Sequence, residues 1–283
     1  MKLLPQWGNA YECGELLAEL ATTALINEAE LTPKPGLVDL NNSGAHNDLN
    51  IAMMRISAYT LRDSFSAMAT IAYQQRPSQI LREQLAGIGR EAERLMMSAT
   101  GGVNTHRGAI WALGLLTAGA AICPLNSSST QIAAIAGGIA RYSDRYAPTQ
   151  DSNGTKVQRR FGVSGARGEA QNGFPHVIRV ALPMLKSARR NGVKELHARL
   201  DTLLAIMSTL EDTCLLHRGG QVALELIQQT SRKILSVGGT SSSTGWDLLH
   251  QLDAELIERH ISPSGCADLL AATLFLDSFE NVC

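Results

Sequence analysis

Aliphatic residues recur at spacings of three and four along almost the whole chain, and that period leaves little room for anything but helices. Leu16, Leu17, Leu20, Ala24 and Leu25 share one helical face, as do Leu200, Leu203, Leu204, Met207 and Leu210. The two-residue alternation of a strand is almost absent. Beyond these two stretches, the pattern predicts helices over roughly 47–74, 78–98, 105–122, 130–146, 165–190, 220–235, 246–259 and 263–279. The 283 residues, 45% hydrophobic, suffice for one large core. No internal repeat or linker divides them, so the expectation is an all-α fold: a single compact multi-helix domain over 1–283.

The 25 basic and 26 acidic residues nearly cancel, which argues against a nucleic-acid partner. Any anionic ligand must therefore be met by a local cluster. The cysteines at 13, 123, 214, 266 and 283 are odd in number, scattered, and at neither metal-ligand nor redox spacing, a pattern that fits free thiols in a reducing cytosol. The N-terminus lacks the apolar run of a secretory signal. The greasiest stretch, Ala109 to Ile122, is too short and too interrupted by Gly and Thr to cross a bilayer. A cytoplasmic protein without membrane contact is expected.

The breaks between helices hold the unusual chemistry. They are Thr32-Pro33-Lys34-Pro35-Gly36, Gly101-Gly102-Val103-Asn104, Phe161-Gly162-Val163-Ser164-Gly165 and Gly219-Gly220. Proline forbids helix continuation, and glycine allows positive φ and close approach of a ligand to the backbone. The polar stretch 149–160 reads as a mobile surface loop.

Four segments concentrate polar side chains. In the first, the Pro-Lys-Pro-Gly turn could present Lys34 to a phosphate, with Asp39, His46 and Asp48 close by; a helix cap at Asn47 or Asp48 is the plainer reading. In the second, Gly102, Asn104, Thr105, His106 and Arg107 precede an apolar helix, whose free N–H groups and dipole form a natural anion site, although Asn104 or Thr105 could simply cap it. The third runs from Gly165 through Arg167 and Glu169 to Gly173-Phe174-Pro175, with a surface Arg167–Glu169 ion pair as the alternative. The fourth joins Glu211-Asp212-Thr213 and His217-Arg218-Gly219-Gly220 to Asp268. Asp268 lies between Cys266-Ala267 and Leu269-Leu270-Ala271. A carboxylate in so apolar a stretch needs a metal, a cation such as Arg167 or Arg218, or several donors. His197, His250 and His260 read as surface residues on polar helix faces. No Walker lysine loop, dinucleotide fingerprint, zinc-type Cys/His set or nucleophile elbow is present.

Taken together, Glu28-Ala-Glu-Leu-Thr-Pro-Lys-Pro-Gly-Leu-Val-Asp39, Gly44-Ala-His-Asn-Asp48, Gly102-Val-Asn-Thr-His106, Gly165-Ala-Arg-Gly-Glu-Ala170, Glu211-Asp-Thr213 with His217-Arg218-Gly219-Gly220, and Ser262-Pro-Ser-Gly-Cys-Ala-Asp-Leu-Leu-Ala271 resemble the triphosphoribosyl-dephospho-CoA synthase family. That family is found with citrate lyase and, in a related form, with malonate decarboxylase. The motifs occur in the family's order over nearly the whole chain. Arg107 stands where the family usually has Lys, and Pro-Ser-Gly-Cys-Ala-Asp replaces a common Pro-Gly-Gly-Ser-Ala-Asp; the changes keep charge and small size.

The resemblance implies transfer of the triphosphoribosyl group of ATP to the 2′-hydroxyl of 3′-dephospho-CoA, with adenine leaving. The β bond of ATP becomes an α linkage, so a single inverting displacement is expected, with a carboxylate base and an acid for adenine. It implies Mg²⁺ with the triphosphate, a carrier-protein transferase downstream, and leaves room for a homo-oligomer. Catalytic candidates are then Asp39, His46, Asp48, His106, Glu169 and Asp212. Substrate-binding candidates are Lys34, Gly102, Asn104, Thr105, Arg107, Gly165, Arg167, His217 and Arg218, and metal candidates are Asp48, Glu169, Asp212 and Asp268. Two other readings remain: a Mg²⁺-dependent nucleotide phosphohydrolase, and a non-catalytic nucleotide-binding adaptor. With ATP the first yields phosphate without dephospho-CoA, and the second leaves ATP intact.

Overall fold

The computed structural model describes residues 7–147 and 153–282. Every regular element among them is helical, as the periodicity predicts. The helices are α1 (Ala10–Glu30), α2 (Ile51–Ala72), α3 (Gln79–Ala99), α4 (Arg107–Ile122), α5 (Ser129–Ala140), α6 (Asn153–Phe161), α7 (Gly165–Gln171), α8 (Leu182–Arg190), α9 (Glu195–Met207), α10 (Thr213–Ser236), α11 (Ser243–Glu258) and α12 (Ser264–Val282). A π-helical turn (Val177–Ala181) leads into α8, and a 3-10 turn (Gly239–Ser241) precedes α11.

The helix starts follow from short polar side chains that accept otherwise orphaned N–H groups. Asn9 accepts from Glu12 N, Asn50 from Met53 N and Ser78 from Leu81 N, while Ser128 and Gln131 form a reciprocal capping box. α4 is central because it is apolar on nearly every side: Ala109, Leu113, Leu116, Ala118 and Ala120 are all buried, and α1, α2, α3, α5 and α12 pack around it. One continuous apolar core results, with a small satellite of Ala29, Val38, Leu49 and Met54 beside the loop that follows α1.

Several expected boundaries shift. The second helix starts at Ile51, not 47, because Asn50 rather than Asn47 or Asp48 is its cap. The helix expected over 130–146 stops at Ala140. The single helix expected over 165–190 is broken, because Gly173 and Phe174 take positive φ (75° and 54°) just before Pro175. The helix expected from 220 begins at Thr213 and is interrupted by Gly220 (φ 67°, ψ −166°). Within the stretch expected to be a loop, 153–160 is helical in α6, which buries Val157; 149–152 lies outside the described residues.

Candidate active site

The turn after α1 folds Lys34 inward. Gly36 holds φ 67° against α11 and the turn that follows it, where a Cβ would stand 2.8 Å from Leu256 Cβ and 2.5 Å from the Ile261 carbonyl oxygen, and its N–H donates to Asp253 Oδ1 at 2.9 Å. Lys34, 1% exposed, donates through Nζ to Glu28 Oε1 at 2.5 Å and to the Glu28 carbonyl at 2.6 Å. Asp39 is buried as the organiser of the same loop, accepting N–H groups from Lys34, Asn41 and Asn42. Beside it His46 is half-buried and Asp48 exposed, with 3.9 Å between Nδ1 and Oδ1. Burial, then the charge of Arg218, holds the His46 imidazole below its usual pKa.

His106 ends the next turn, buried against α2. Thr105 Oγ1 donates to Ser57 Oγ at 2.6 Å, and Ser57 Oγ lies 2.7 Å from His106 Nδ1. Among the described residues His106 Nε2 has no hydrogen-bond partner. Burial, then the nearby Lys34 charge, pushes the ring's pKa down to about 3, so it is neutral. Gly102, Asn104 and Arg107 are exposed; Asn104 Oδ1 accepts Arg107 N at 3.2 Å, and Arg107 pairs with Glu93.

A cavity of about 370 Å³ opens where α4, α7, α10 and α12 meet, lined among others by Gly108, Trp111, Glu169, His176, Asp212 and Asp268. Asp212 caps α10 through Oδ1 (Cys214 N, 2.7 Å; Leu215 N, 3.4 Å) and ties it to α12 through Oδ2 (Cys266 N, 3.0 Å). Burial raises its pKa although these N–H groups oppose the rise. Asp268 accepts the Ala109 N–H at the start of α4 and forms no ion pair with Arg167 or Arg218. Its pKa is raised well above the carboxylate range, first by desolvation and then by the charges of Glu28 and Asp212.

Glu169 is paired, but not to Arg167. Oε1 accepts His176 N at 2.8 Å and Oε2 faces His176 Nδ1 at 2.7 Å, so each oxygen has a partner on His176. Glu169 therefore orients His176. The Glu169 hydrogen bond raises the His176 pKa against the opposing effect of burial, aided by the Thr209 carbonyl and the charge of Glu211.

The cavity thus gathers Gly165, Glu169, Asp212 and Asp268. Glu28 and Lys34 stand behind it, coupled by charge to Asp268 and His106 respectively. Asp48, His46, Arg107, Arg167, His217 and Arg218 are not on its wall; all of these but His46 are exposed. The sequence reading missed His176 and Trp111. A histidine seven residues beyond Glu169 and just after Gly-Phe-Pro was the available signal, but the pairing depends on the chain reversal at Gly173–Phe174.

The donor chemistry fits Mg²⁺ bound together with a polyphosphate. Asp212 and Asp268 face one cavity with Glu28 near, a crowding of like charge that a divalent cation would relieve. Among the described residues no three His, Cys, Asp or Glu side chains surround a single point. Mg²⁺ held mainly by substrate phosphates and water needs only one or two carboxylates.

Residues 14–282 match the family described as ATP:dephospho-CoA triphosphoribosyl transferase. The chain is 50% identical over 262 residues to the 2-(5''-triphosphoribosyl)-3'-dephosphocoenzyme-A synthase of Klebsiella pneumoniae, covering 92% of this chain and 93% of that one. It is 51% identical over 268 residues to a probable synthase of the same name from Pseudomonas fluorescens (94% and 92% covered), and 52% identical over 270 residues to one from Stutzerimonas stutzeri (95% and 93%). No solved structure matches.

Proposed function

The chain belongs to the ATP:dephospho-CoA triphosphoribosyl transferase family, and we propose that it joins ribose C1 of ATP to the 2′-hydroxyl of 3′-dephospho-CoA in the cavity between α4 and α12, releasing adenine. The observation that carries the placement is the convergence of Gly108, Glu169, Asp212 and Asp268 from four distant stretches of sequence on one cavity. The product is the prosthetic-group precursor for the acyl carrier protein of citrate lyase or malonate decarboxylase, passed to a carrier-protein transferase. The four described cysteines are free thiols, which supports work in the cytosol.

The bond that forms is C1–O2′ and the bond that breaks is C1–N9. Asp268 is the least committed carboxylate of the cavity, with one backbone donor. In its ionised form, which a neighbouring divalent cation would favour, Asp268 takes the proton of the acceptor hydroxyl as that oxygen attacks. Asp212, locked by three backbone N–H groups, keeps a fixed negative charge facing the oxocarbenium character of the ribose. Asp212 and Asp268 are the residues that would hold Mg²⁺, which supplies neutralising charge for the triphosphate. Arg167 and Arg218, exposed and outside any ion pair among the described residues, are the cations free to meet phosphates. Lys34 and Arg107 are already engaged by Glu28 and Glu93.

Mass spectrometry of a reaction holding ATP, 3′-dephospho-CoA and Mg²⁺ tests this reading. Adenine and triphosphoribosyl-dephospho-CoA are expected in equal amounts. Phosphate or ADP as the stoichiometric product, or intact ATP after hours, overturns it.

A further inference from the structure

Besides its carboxylates, the cavity wall carries an indole and an imidazole. Trp111 on α4 forms a wall whose orientation is fixed twice: its Nε1–H donates to the Ala166 carbonyl at 3.1 Å, and the buried Arg82 guanidinium lies 5.0 Å from the ring centroid. A flat aromatic surface pinned in this way suits stacking of a planar heterocycle. His176 lines the same cavity. Its Nδ1 and its backbone N–H both go to the Glu169 carboxylate, which leaves Nε2 to the Thr209 carbonyl on the cavity wall, a bond that a ligand nitrogen would replace.

We propose that the Trp111–His176 wall of the cavity is the pocket for the departing purine, and that His176 is the catalytic acid that gives its Nε2 proton to a ring nitrogen of the base. The inference rests on the transferase reading above. Trp111 holds the plane of the base. Glu169 is a positioning residue that fixes the ring of His176 and stabilises its charged form.

The proton balance closes. As C1–N9 breaks, the bonding electron pair moves onto the purine. The proton of His176 neutralises it, adenine leaves uncharged, and His176 becomes neutral. The acceptor hydroxyl loses its proton to Asp268, and both groups are reset from solvent. The groups facing His176 are Glu169 from α7 and the Thr209 carbonyl and Glu211 from the segment before α10, with Asp212 and Asp268 elsewhere on the wall. Glu169, the Thr209 carbonyl and Glu211 all favour the protonated ring against the opposing effect of burial. Activity should fall as pH rises through the imidazole value, because only the protonated form is the acid.

The test follows adenine release from ATP with 3′-dephospho-CoA between about pH 6 and pH 9, with ATP binding measured separately by equilibrium dialysis. In His176→Gln, kcat should drop by roughly 10²–10⁴-fold, the span typical of a lost general acid. ATP affinity should stay within about threefold, and the alkaline fall in rate should disappear. Glu169→Gln should move that fall to lower pH, which a merely structural role would not do. Trp111→Ala should weaken ATP binding, and Trp111→Phe should restore most of it. If circular dichroism shows His176→Gln unfolded, the pH shift in Glu169→Gln decides. His176→Gln with near-normal kcat, or a Glu169→Gln profile that coincides with wild type, overturns the acid assignment. Wild-type protein that releases no adenine overturns the transferase reading instead.

Discussion

The carboxylate of Asp268 occupies the space that a side chain at residue 108 would need: a Cβ on Gly108 would fall 1.9 Å from Asp268 Oδ2. Gly108 has ordinary helical geometry in the first turn of α4, so alanine there would otherwise favour the helix by about 1 kcal/mol. Gly108→Ala must therefore push the carboxyl aside, toward the open cavity. Stability should stay within about 1 kcal/mol of wild type, since a movable side-chain end gives way and not backbone. Adenine release should fall by roughly 10²-fold or more, as expected when a reacting group is displaced by about an ångström. A folded Gly108→Ala with full activity would remove Asp268 from the reaction.

Asp268→Asn separates a reacting carboxylate from a structural one. Its folded pKa is raised, so the folded chain keeps a proton that the unfolded chain loses above about pH 3.9. This group's contribution to stability is complete below that pH and is lost as pH rises toward the folded value. The Asn variant lacks the loss. It should match wild type near pH 4 and become the more stable of the two toward pH 8, while activity falls by orders of magnitude and the Mg²⁺ requirement rises. Urea titrations across pH check the first part. A variant destabilised by about 3–5 kcal/mol at neutral pH, yet active per folded molecule, would mark Asp268 as half of a structural pair.

Lys34 should behave as part of the scaffold. With its ammonium 2.5 Å from Glu28 Oε1 and both residues buried, Lys34→Met leaves a buried carboxylate without its cation and should destabilise by about 3–5 kcal/mol. Lys34→Met combined with Glu28→Gln should recover much of that loss. If instead the single variant melts normally and only its affinity for ATP drops, Lys34 is a phosphate ligand that leaves Glu28 when substrate binds.

What could be read from the sequence follows the strength of the apolar pattern. α4 was plain because apolar residues surround it, and the glycines ahead of it marked where it starts. α6 was hidden because Asn-Gly-Thr-Lys-Val-Gln-Arg-Arg offers little apolar surface besides Val157, and only tertiary packing reveals that Val157 is buried. The carboxylates of the site were legible as a pool, since Asp268 in an apolar stretch has few uses. Their division of labour was not. Whether Glu169 meets a histidine and not Arg167 depends on which way Gly173 and Phe174 turn the chain, and the spacing of Glu169 does not encode that. The inward course of Lys34 is hidden from the sequence for a related reason. A Pro-Lys-Pro-Gly turn is rigid in either direction, and only its contact with α11 through Gly36 and Asp253 sends the lysine inward.

His106 supplies an acid-sensitive element whose sign and window follow from its surroundings. Thr105 donates to Ser57 Oγ, so the Ser57 proton is the one that reaches His106 Nδ1, and the ring must carry its own proton on Nε2. A second proton would have to displace that hydrogen bond in a buried site beside Lys34, and the pKa is accordingly pushed down to about 3. For a histidine with a depressed folded pKa, the unfolded chain takes up a proton near pH 6.5 while the folded chain refuses it. Stability from this group is therefore full above about pH 6.5 and is lost as pH falls toward 3. At 1.36 kcal/mol per pH unit the loss is on the order of 5 kcal/mol over the whole window. His106→Gln offers a similar N–H donor but no titration in this range. It should be less stable than wild type at pH 7, where the Ser57 contact and ring packing are missing, and the gap should narrow steadily on acidification to pH 4. Other carboxylates affect both proteins alike, so the difference between the two urea-unfolding curves isolates the imidazole. Curves that run parallel from pH 7 to pH 4 would show that His106 is protonated in the folded protein, and would undo the hydroxyl relay from Thr105 through Ser57 on which its neutral form depends.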